Sequence, residues 1–136
     1  MKLPINLSLP YPISVNNYYR TYRNIQTISK EGKLFKSKVS GDYKDLQPIS
    51  DSVRLKILIH PKQNKDGSAS KMLIDLDNGL KCILDSLQGI VYNDDKQVKS
   101  LTIDYGACKL GGGVTVIVDY FNQHECVLIS KQLNCS

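Results

Sequence analysis

Acidic residues in the middle of the chain have the spacing of a candidate metal site. Asp75 and Asp77 are two positions apart where an extended segment is predicted to meet a helix, so both carboxylates can face one point. Asp94 and Asp95 follow the short apolar segment 89–92, and we expect their turn to fold back beside the helix start. Converging carboxylates hold hard cations such as Mg²⁺. Such a cation would activate water and offset phosphodiester charge, and a nearby lysine would stabilise developing negative charge.

A purely structural interpretation competes for the same residues. Asp77 lies at or near a predicted N-cap, where acids are common for local reasons. Asp77, Lys81 and Asp85 stand at i, i+4 and i+8, a spacing typical of exposed ion pairs that each contribute roughly 0.2–0.5 kcal/mol. Capping explains one acid of the first pair but not both, and the additional pair Asp94-Asp95 favours the metal site.

Basic residues flank this acidic segment. The formal net charge is +5 over 136 residues. One cluster of cations lies between Asn16 and Val39, opposed only by Glu31, and a second precedes Asp75. The two clusters comprise Arg20, Arg23, Lys30, Lys33, Lys36 and Lys38, and then Lys62, Lys65 and Lys71. Cations that surround carboxylates indicate a polyanionic substrate bound together with a metal ion.

The elements that must position these residues predict an α+β fold, a small mixed sheet of about four strands covered by two helices in the order β-α-β-α-β-β. Strands are predicted at 5–9, 53–59, 98–105 and 114–121, the last two as an antiparallel pair joined across a glycine hairpin turn. Ser29 is predicted to cap a helix that runs from residue 30 to about 46. A second helix is predicted from about 78 to 87, and the stretch 11–27 as a polar loop.

The whole chain, 1–136, is predicted to be a single domain, with 122–136 as a C-terminal extension that adds a short helix or strand. No apolar run approaches the ~20 residues of a membrane span. The first residues lack the layout of a signal peptide. Four scattered cysteines without a CxxC pair are typical of reduced thiols. We therefore expect a cytoplasmic protein with no membrane partner.

Several motifs occur in a fixed order along the chain. The central one is Asp75-x-Asp77-Asn78-x-x-Lys81-x-x-x-Asp85-x-Leu87, followed by Gly89 and Asp94-Asp95-x-x-Val98. The N-terminal ones are Leu9-Pro-Tyr-Pro12, Ser14-Val-Asn16, Tyr18-Tyr-Arg20 and Ser29-x-Glu31-Gly32-x-x-Phe35. Together they resemble the RusA family of crossover-junction endodeoxyribonucleases (Holliday junction resolvases), from about Leu9 to Phe121.

The resemblance implies a homodimer that binds four-way DNA junctions and makes paired, symmetric cuts with Mg²⁺, for which Mn²⁺ is a substitute. Relatives are often carried by phages or prophages. It implies four catalytic residues, of which the three acids are the metal ligands: Asp75, Asp77, Asp95 and Lys81. It also implies supporting roles, in which Asp85 orients Lys81 and Asp94 shapes its turn.

Contacts to DNA are expected from polar and basic residues outside the acidic motif. These are Asn16, Tyr19, Arg20, Arg23, Lys30, Lys33, Lys36, Lys65 and Lys71. Tyrosines in this part of the chain, namely Tyr18, Tyr19 and Tyr22, are candidates for stacking on exposed bases.

Two other functions stay open at this point. A catalytically inactive DNA-binding module would keep the basic residues but should have lost one acid or Lys81, whereas every matched position is filled here. A nuclease for other branched DNA, such as flaps or forks, would carry the same residues, because shape selectivity depends on dimer geometry and loops.

Overall fold

A computed structural model describes residues 3–122 of the chain. The predicted short helix or strand of the C-terminal extension lies outside the described residues. The α+β fold is confirmed, and within the described residues it has a four-stranded mixed sheet, a separate two-stranded sheet and three α-helices. The elements are β1 (Ile5–Leu9), α1 (Val15–Tyr18), β2 (Tyr19–Tyr22), β3 (Ile25–Ile28), α2 (Lys30–Asp42), β4 (Val53–His60), α3 (Leu76–Leu87), a 3₁₀ turn (Asp95–Gln97), β5 (Val98–Tyr105) and β6 (Gly113–Tyr120).

The core lies between the four-stranded sheet and the helices. Alternate residues of β4 and β6 turn one face of the sheet inward, where β4 contributes Val53, Leu55 and Ile57. That face packs with the buried residues of α2 and α3, among them Phe35 and Ile83. The period-2 alternation of the strands and the apolar side of α3 therefore build one continuous core.

The strand order is β1-β6-β4-β5, which makes the predicted antiparallel pairing of the last two strands wrong. Strands β5 and β6 are where the sequence predicts them, but they do not pair with each other. Strand β4 lies between them, parallel to β5 and antiparallel to β6. The predicted glycine hairpin turn is instead part of a longer connection that crosses the end of β4. Amides of Gly106 and Lys109 donate there to the carbonyls of Ile59 and Pro61. The strongly apolar β4 takes the central position, where both of its edges are paired.

Both long helices begin near the predicted residues. The Gly32 amide donates to Ser29 Oγ at 3.1 Å, which confirms the predicted cap. The predicted end of this helix was wrong, because α2 ends at Asp42 rather than at about residue 46. The Ser29 hydroxyl also donates to the Asn17 carbonyl at 2.7 Å, which ties α2 to α1. Helix α3 begins two residues earlier than predicted, with Asp75 rather than Asp77 at its N-cap.

The segment predicted as a polar loop, 11–27, contains α1 and an antiparallel hairpin formed by β2 and β3. Tyr22 pairs with Ile25 across a two-residue loop, in which Arg23 and Asn24 have positive φ angles of 49° and 65°. Positive φ at both loop residues is the type I′ geometry that matches strand twist. The loop prediction was wrong because an almost fully exposed hairpin lacks the apolar–polar alternation of a half-buried strand.

None of the helices that the structure describes has both the length and the apolar character needed to span a bilayer.

Candidate active site

The start of α3 presents two exposed carboxylates, Asp75 at the N-cap and Asp77 in the first turn. The residue before them, Ile74, is held on both sides of its backbone. Its amide donates to the Tyr11 hydroxyl at 3.1 Å, and its carbonyl accepts from the Tyr105 hydroxyl at 2.8 Å. Two tyrosines from distant parts of the chain therefore fix the backbone that enters the helix.

Both carboxylates act electrostatically on the same phenol at the end of β5. Burial raises the pKa of Tyr105, and electrostatic interaction with Asp75 and, more weakly, with Asp77 raises it further. Asn78 Nδ2 lies 3.4 Å from Asp75 Oδ2 and donates to it. The extended-backbone geometry expected to turn both carboxylates to one point applies only to Asp75, because Asp77 belongs to the helix.

One turn further along α3, Lys81 forms an ion pair with Asp85. Lys81 Nζ and Asp85 Oδ1 are 3.1 Å apart, while the other carboxylate oxygen accepts from the Tyr18 hydroxyl at 3.1 Å. The hydrogen bond to Asp85 raises the pKa of Lys81, partial burial opposes this, and the charge of Asp85 and a hydrogen bond with Tyr19 add to the rise. Lys81 therefore stays protonated at neutral pH and presents a fixed cation.

Tyr18 and Tyr19 brace this ion pair from the side of α1. Tyr18 is fully buried, and burial followed by the charge of Asp85 raises the pKa of its phenol. Its ring meets that of Tyr19 edge-on, with centroids 5.0 Å apart. The prediction that Tyr18 stacks on DNA bases was wrong, because no part of the ring reaches solvent. The polar residues around it, among them Asn16 and Asn17, did not reveal that it would be enclosed.

The turn of Asp94 and Asp95 lies near the end of α3, not beside its start as predicted. The Asp94 side chain accepts from the Lys96 amide at 2.9 Å, and this hydrogen bond is the main cause of its lowered pKa. Gln97 holds the turn against the loop before β4 by donating to the carbonyls of Ile49 and Asp51 at 2.6 and 2.8 Å.

The separation of these acids follows from the connection between the parallel strands. Helix α3 runs from the C-terminal end of β4 back towards the start of β5, so Asp75 and Asp95 lie at its opposite ends. Its 12 residues correspond to about 18 Å. Within residues 3–122 no three His, Cys, Asp or Glu side chains come together as a metal site.

The predicted DNA contacts lie on three surfaces. Asn16, Arg20 and Arg23 are exposed on α1 and the β2–β3 hairpin, next to the partly buried Tyr19. The cations of α2 are arranged along that helix, and Lys36 lines a groove with residues at the end of α3. The α2 cations are Lys30, Lys33 and Lys36, and those of the loop before α3 are Lys65 and Lys71.

A depression of about 670 Å³ opens beside the segment that leads to Asp75. Its lining includes Asn17, Lys62 and Lys71, together with Tyr11 and Ile74. Lys62 Nζ lies 5.1 Å from the centre of the Tyr11 ring. The lining also includes one acid, Glu31, so the two lysines leave the depression with a net positive lining that offers a phosphate backbone a path to the start of α3.

The donor set at the start of α3 fits Mg²⁺. The ion is commonly bound through one or two carboxylates, and it keeps several waters and binds substrate phosphates. Asp75 and Asp77 are two exposed carboxylates on a braced backbone, and the hard oxygen ligands match the ion.

The sequence interpretation missed Tyr11 and Tyr105, which hold Ile74, and the hydrogen bond from Tyr18 to Asp85. Tyr11 is 63 residues and Tyr105 is 31 residues away from Ile74 in the chain. No local pattern connects them. The only available signal is that each tyrosine stands at the end of a predicted strand or beside a proline.

Comparison with known proteins agrees with the resemblance that the motifs indicated. A search of curated proteins found no match. The family model described as endodeoxyribonuclease RusA matches residues 10–119, which include α3, the hairpin and the Asp94-Asp95 turn. The chain therefore belongs to the RusA family of endodeoxyribonucleases.

Proposed function

We propose that this protein is a Mg²⁺-dependent endonuclease that resolves four-way DNA junctions by paired, symmetric phosphodiester hydrolysis, in recombination and repair within the cytoplasm. Membership of the RusA family supports a nuclease that acts on such junctions. The observation that carries the proposal is the start of α3. Two exposed carboxylates stand there on a braced backbone, one helical turn before a lysine held by Asp85.

In this proposal Asp75 and Asp77 bind Mg²⁺, or Mn²⁺ as a substitute, and Asp95 is the third ligand. When bound, the ion would activate a water molecule and offset charge on the scissile phosphate. Lys81 stabilises the negative charge that develops on the phosphate oxygens. Asp85 keeps Lys81 protonated and oriented, which its 3.1 Å ion pair supports. Asp94 shapes the turn that carries Asp95.

The placement of Asp95 supports a homodimer in which each site is shared. Asp75 stands at the start of α3 and Asp95 follows its end, and the helix between them is about 18 Å long. A two-fold axis across α3 would bring the start of one helix near the end of its partner, because the operation reverses the helix direction. We propose that Asp95 acts in the site of the partner subunit, and that two such sites make the paired cuts.

The decisive experiment is cleavage of a labelled four-way junction beside duplex, flap and fork substrates, in Mg²⁺ and in EDTA. We expect paired cuts in the junction, none in EDTA, and much weaker cutting of the other substrates. If flaps or forks were cut in preference to the junction, the proposed substrate would be wrong and the enzyme would be a nuclease for that other branched DNA. Junction binding without any cleavage in Mg²⁺ or Mn²⁺ would indicate an inactive DNA-binding module.

Substitution of Asp77 tests the metal site itself. We expect Asp77→Asn to retain junction binding and to lose at least about a hundredfold in cleavage, because a neutral amide is a poor ligand for Mg²⁺. Asp45→Asn, which removes an exposed carboxylate from the loop after α2, should cleave like the wild type. Cleavage by Asp77→Asn at near wild-type rate would contradict the assignment.

A further inference from the structure

The β2–β3 hairpin stands clear of the body of the protein. Apart from its base, where Tyr19 and Ile28 pack against the core, its residues are exposed. Tyr22 and Ile25, the last pair before the loop, are 64% and 65% exposed. Neither side chain supports the core, so burial within the described chain gives no reason for apolar residues here.

One face of the hairpin combines apolar and cationic side chains. Arg20 and Tyr22 of β2 share that face with Ile25 and Thr27 of β3, because alternate residues of a strand point the same way. These four residues line a shallow depression of about 320 Å³. A planar aromatic group with negative charge attached to it would contact the apolar pair and the guanidinium together.

The loop adds a second cation beside the tyrosine. Arg23 has a φ of 49°, a conformation that glycine or asparagine adopts more easily than arginine. Its guanidinium carbon lies 5.3 Å from the centre of the Tyr22 ring. The exposed tip therefore carries a cation–π pair of arginine and tyrosine.

The hairpin extends from the candidate active site. Its first residue, Tyr19, contributes a hydrogen bond that raises the pKa of Lys81. Three further residues of extended strand carry the chain about 10 Å outwards to Tyr22. Between Ile13 and Lys30 the sequence has no acidic residue, so no carboxylate of this segment offsets the charge of its cations. The hairpin surface therefore attracts a polyanion.

From this geometry we propose that the hairpin is a base-stacking element for branched DNA. Tyr22 and Ile25 contact unstacked bases next to the branch point, while Arg20 and Arg23 bind the adjoining phosphates. Aromatic side chains accept any base, since every base has a π-face, so this contact selects an open branch rather than a sequence. The inference rests on the proposed function, and it names the part of the protein that recognises the open branch.

The test measures unstacking of bases by the full-length protein in EDTA, so that no cleavage occurs. A four-way junction carries 2-aminopurine beside its branch point, whose fluorescence rises when the base leaves the stack. We expect the wild type to raise the fluorescence. Tyr22→Ala and Ile25→Ala should reduce the rise at least threefold, and Tyr22→Ala should weaken junction binding about tenfold. Tyr22→Phe keeps the ring and should behave like the wild type.

Tyr120→Ala is the matched control, because it removes a tyrosine that is 48% exposed at the end of β6. We expect it to leave fluorescence and binding unchanged. A wild-type response from both Tyr22→Ala and Ile25→Ala overturns the hairpin proposal and leaves the proposed function standing. The proposal is also overturned if these two variants bind the junction like the wild type but sediment differently in the absence of DNA. The hairpin face would then contact a second copy of the chain and not DNA. If the wild type binds junction no better than duplex, both proposals fail.

Discussion

At the scale of single residues, Asp85 connects two parts of the candidate site. One carboxylate oxygen pairs with Lys81 on the exposed side, and the other accepts from the buried Tyr18 hydroxyl. Because Tyr18 is enclosed by the core, it fixes Asp85, and Asp85 in turn limits the positions of the lysine ammonium. An i,i+4 pair that would be a minor surface contact elsewhere is thus held by the core, which is why we propose that Asp85 positions Lys81.

The pH dependence of cleavage tests this role. The hydrogen bond and charge of Asp85 raise the pKa of Lys81, so the ammonium is present below that pKa and is lost as pH rises through it. In Asp85→Asn the pKa falls, and we expect the alkaline loss of activity to begin at lower pH. Cleavage at neutral pH should fall by about tenfold, because the lysine is less well positioned.

The control for this measurement is Asp42→Asn. Asp42 forms the same kind of i,i+4 pair with Lys38 on α2, at 3.3 Å, but away from the acidic motif. Its pH profile should overlay that of the wild type. If Asp85→Asn has an unshifted alkaline limb, then Asp85 does not tune the lysine, whatever the loss in rate.

At the scale of elements, the contact of α2 with the base of the hairpin determines where α1 and β2 lie. Gly32 is buried in the first turn of α2. A Cβ at this position would lie 2.6 Å from Ile28 Cγ2 and 3.0 Å from the Tyr18 carbonyl oxygen. The close approach of a helix to backbone and to an enclosed ring leaves room only for glycine.

We therefore expect Gly32→Ala to destabilise the protein although alanine favours helices. Overpacking costs ~1–3 kcal/mol, which outweighs a propensity gain of at most about 1 kcal/mol. Gly41→Ala, in the same helix with nothing within 4 Å of its Cβ, should instead stabilise by up to about 1 kcal/mol. Urea denaturation of both variants gives the two free energies. If Gly32→Ala also raised the free energy of unfolding, the contact at Gly32 would relax without cost and the expectation would be wrong.

At the scale of the whole molecule, the parallel crossover from β4 through α3 to β5 separates the acids that the motif groups together. Asp75 and Asp95 belong to opposite ends of that crossover. A monomer would hold two of the proposed ligands at one end of α3 and the third at the other. The proposed homodimer resolves this by pairing unlike ends across a two-fold axis.

Mixing two inactive variants distinguishes shared from separate sites. We expect Asp77→Asn and Asp95→Asn homodimers each to be inactive. A heterodimer with one subunit of each should regain one intact site if Asp95 serves the partner, because both substitutions then fall in the other site. Differently tagged, co-expressed subunits would be purified as heterodimers and assayed for nicking of one strand. Failure to regain activity would mean that each chain forms its own site.

The sequence by itself determined the elements that local physics controls. Ser29 caps α2 because its hydroxyl reaches an amide three residues away, and the alternation at 53–59 identifies β4. Strand β1 was placed to the residue, and the fold class followed from element order. The motif from Asp75 to Asp85 also predicted the Lys81–Asp85 pair, because i,i+4 spacing is a property of any helix.

Only the tertiary structure decided which of these elements are neighbours. The need of apolar β4 for partners on both edges placed it between β5 and β6, and the resulting crossover moved Asp95 away from Asp75. The tyrosines that hold Ile74 act over 31 and 63 residues of chain, a distance at which no periodic pattern carries information. The candidate site residues can thus be identified from local spacing, whereas their convergence depends on long-range packing and, for Asp95, on the second subunit of the proposed dimer.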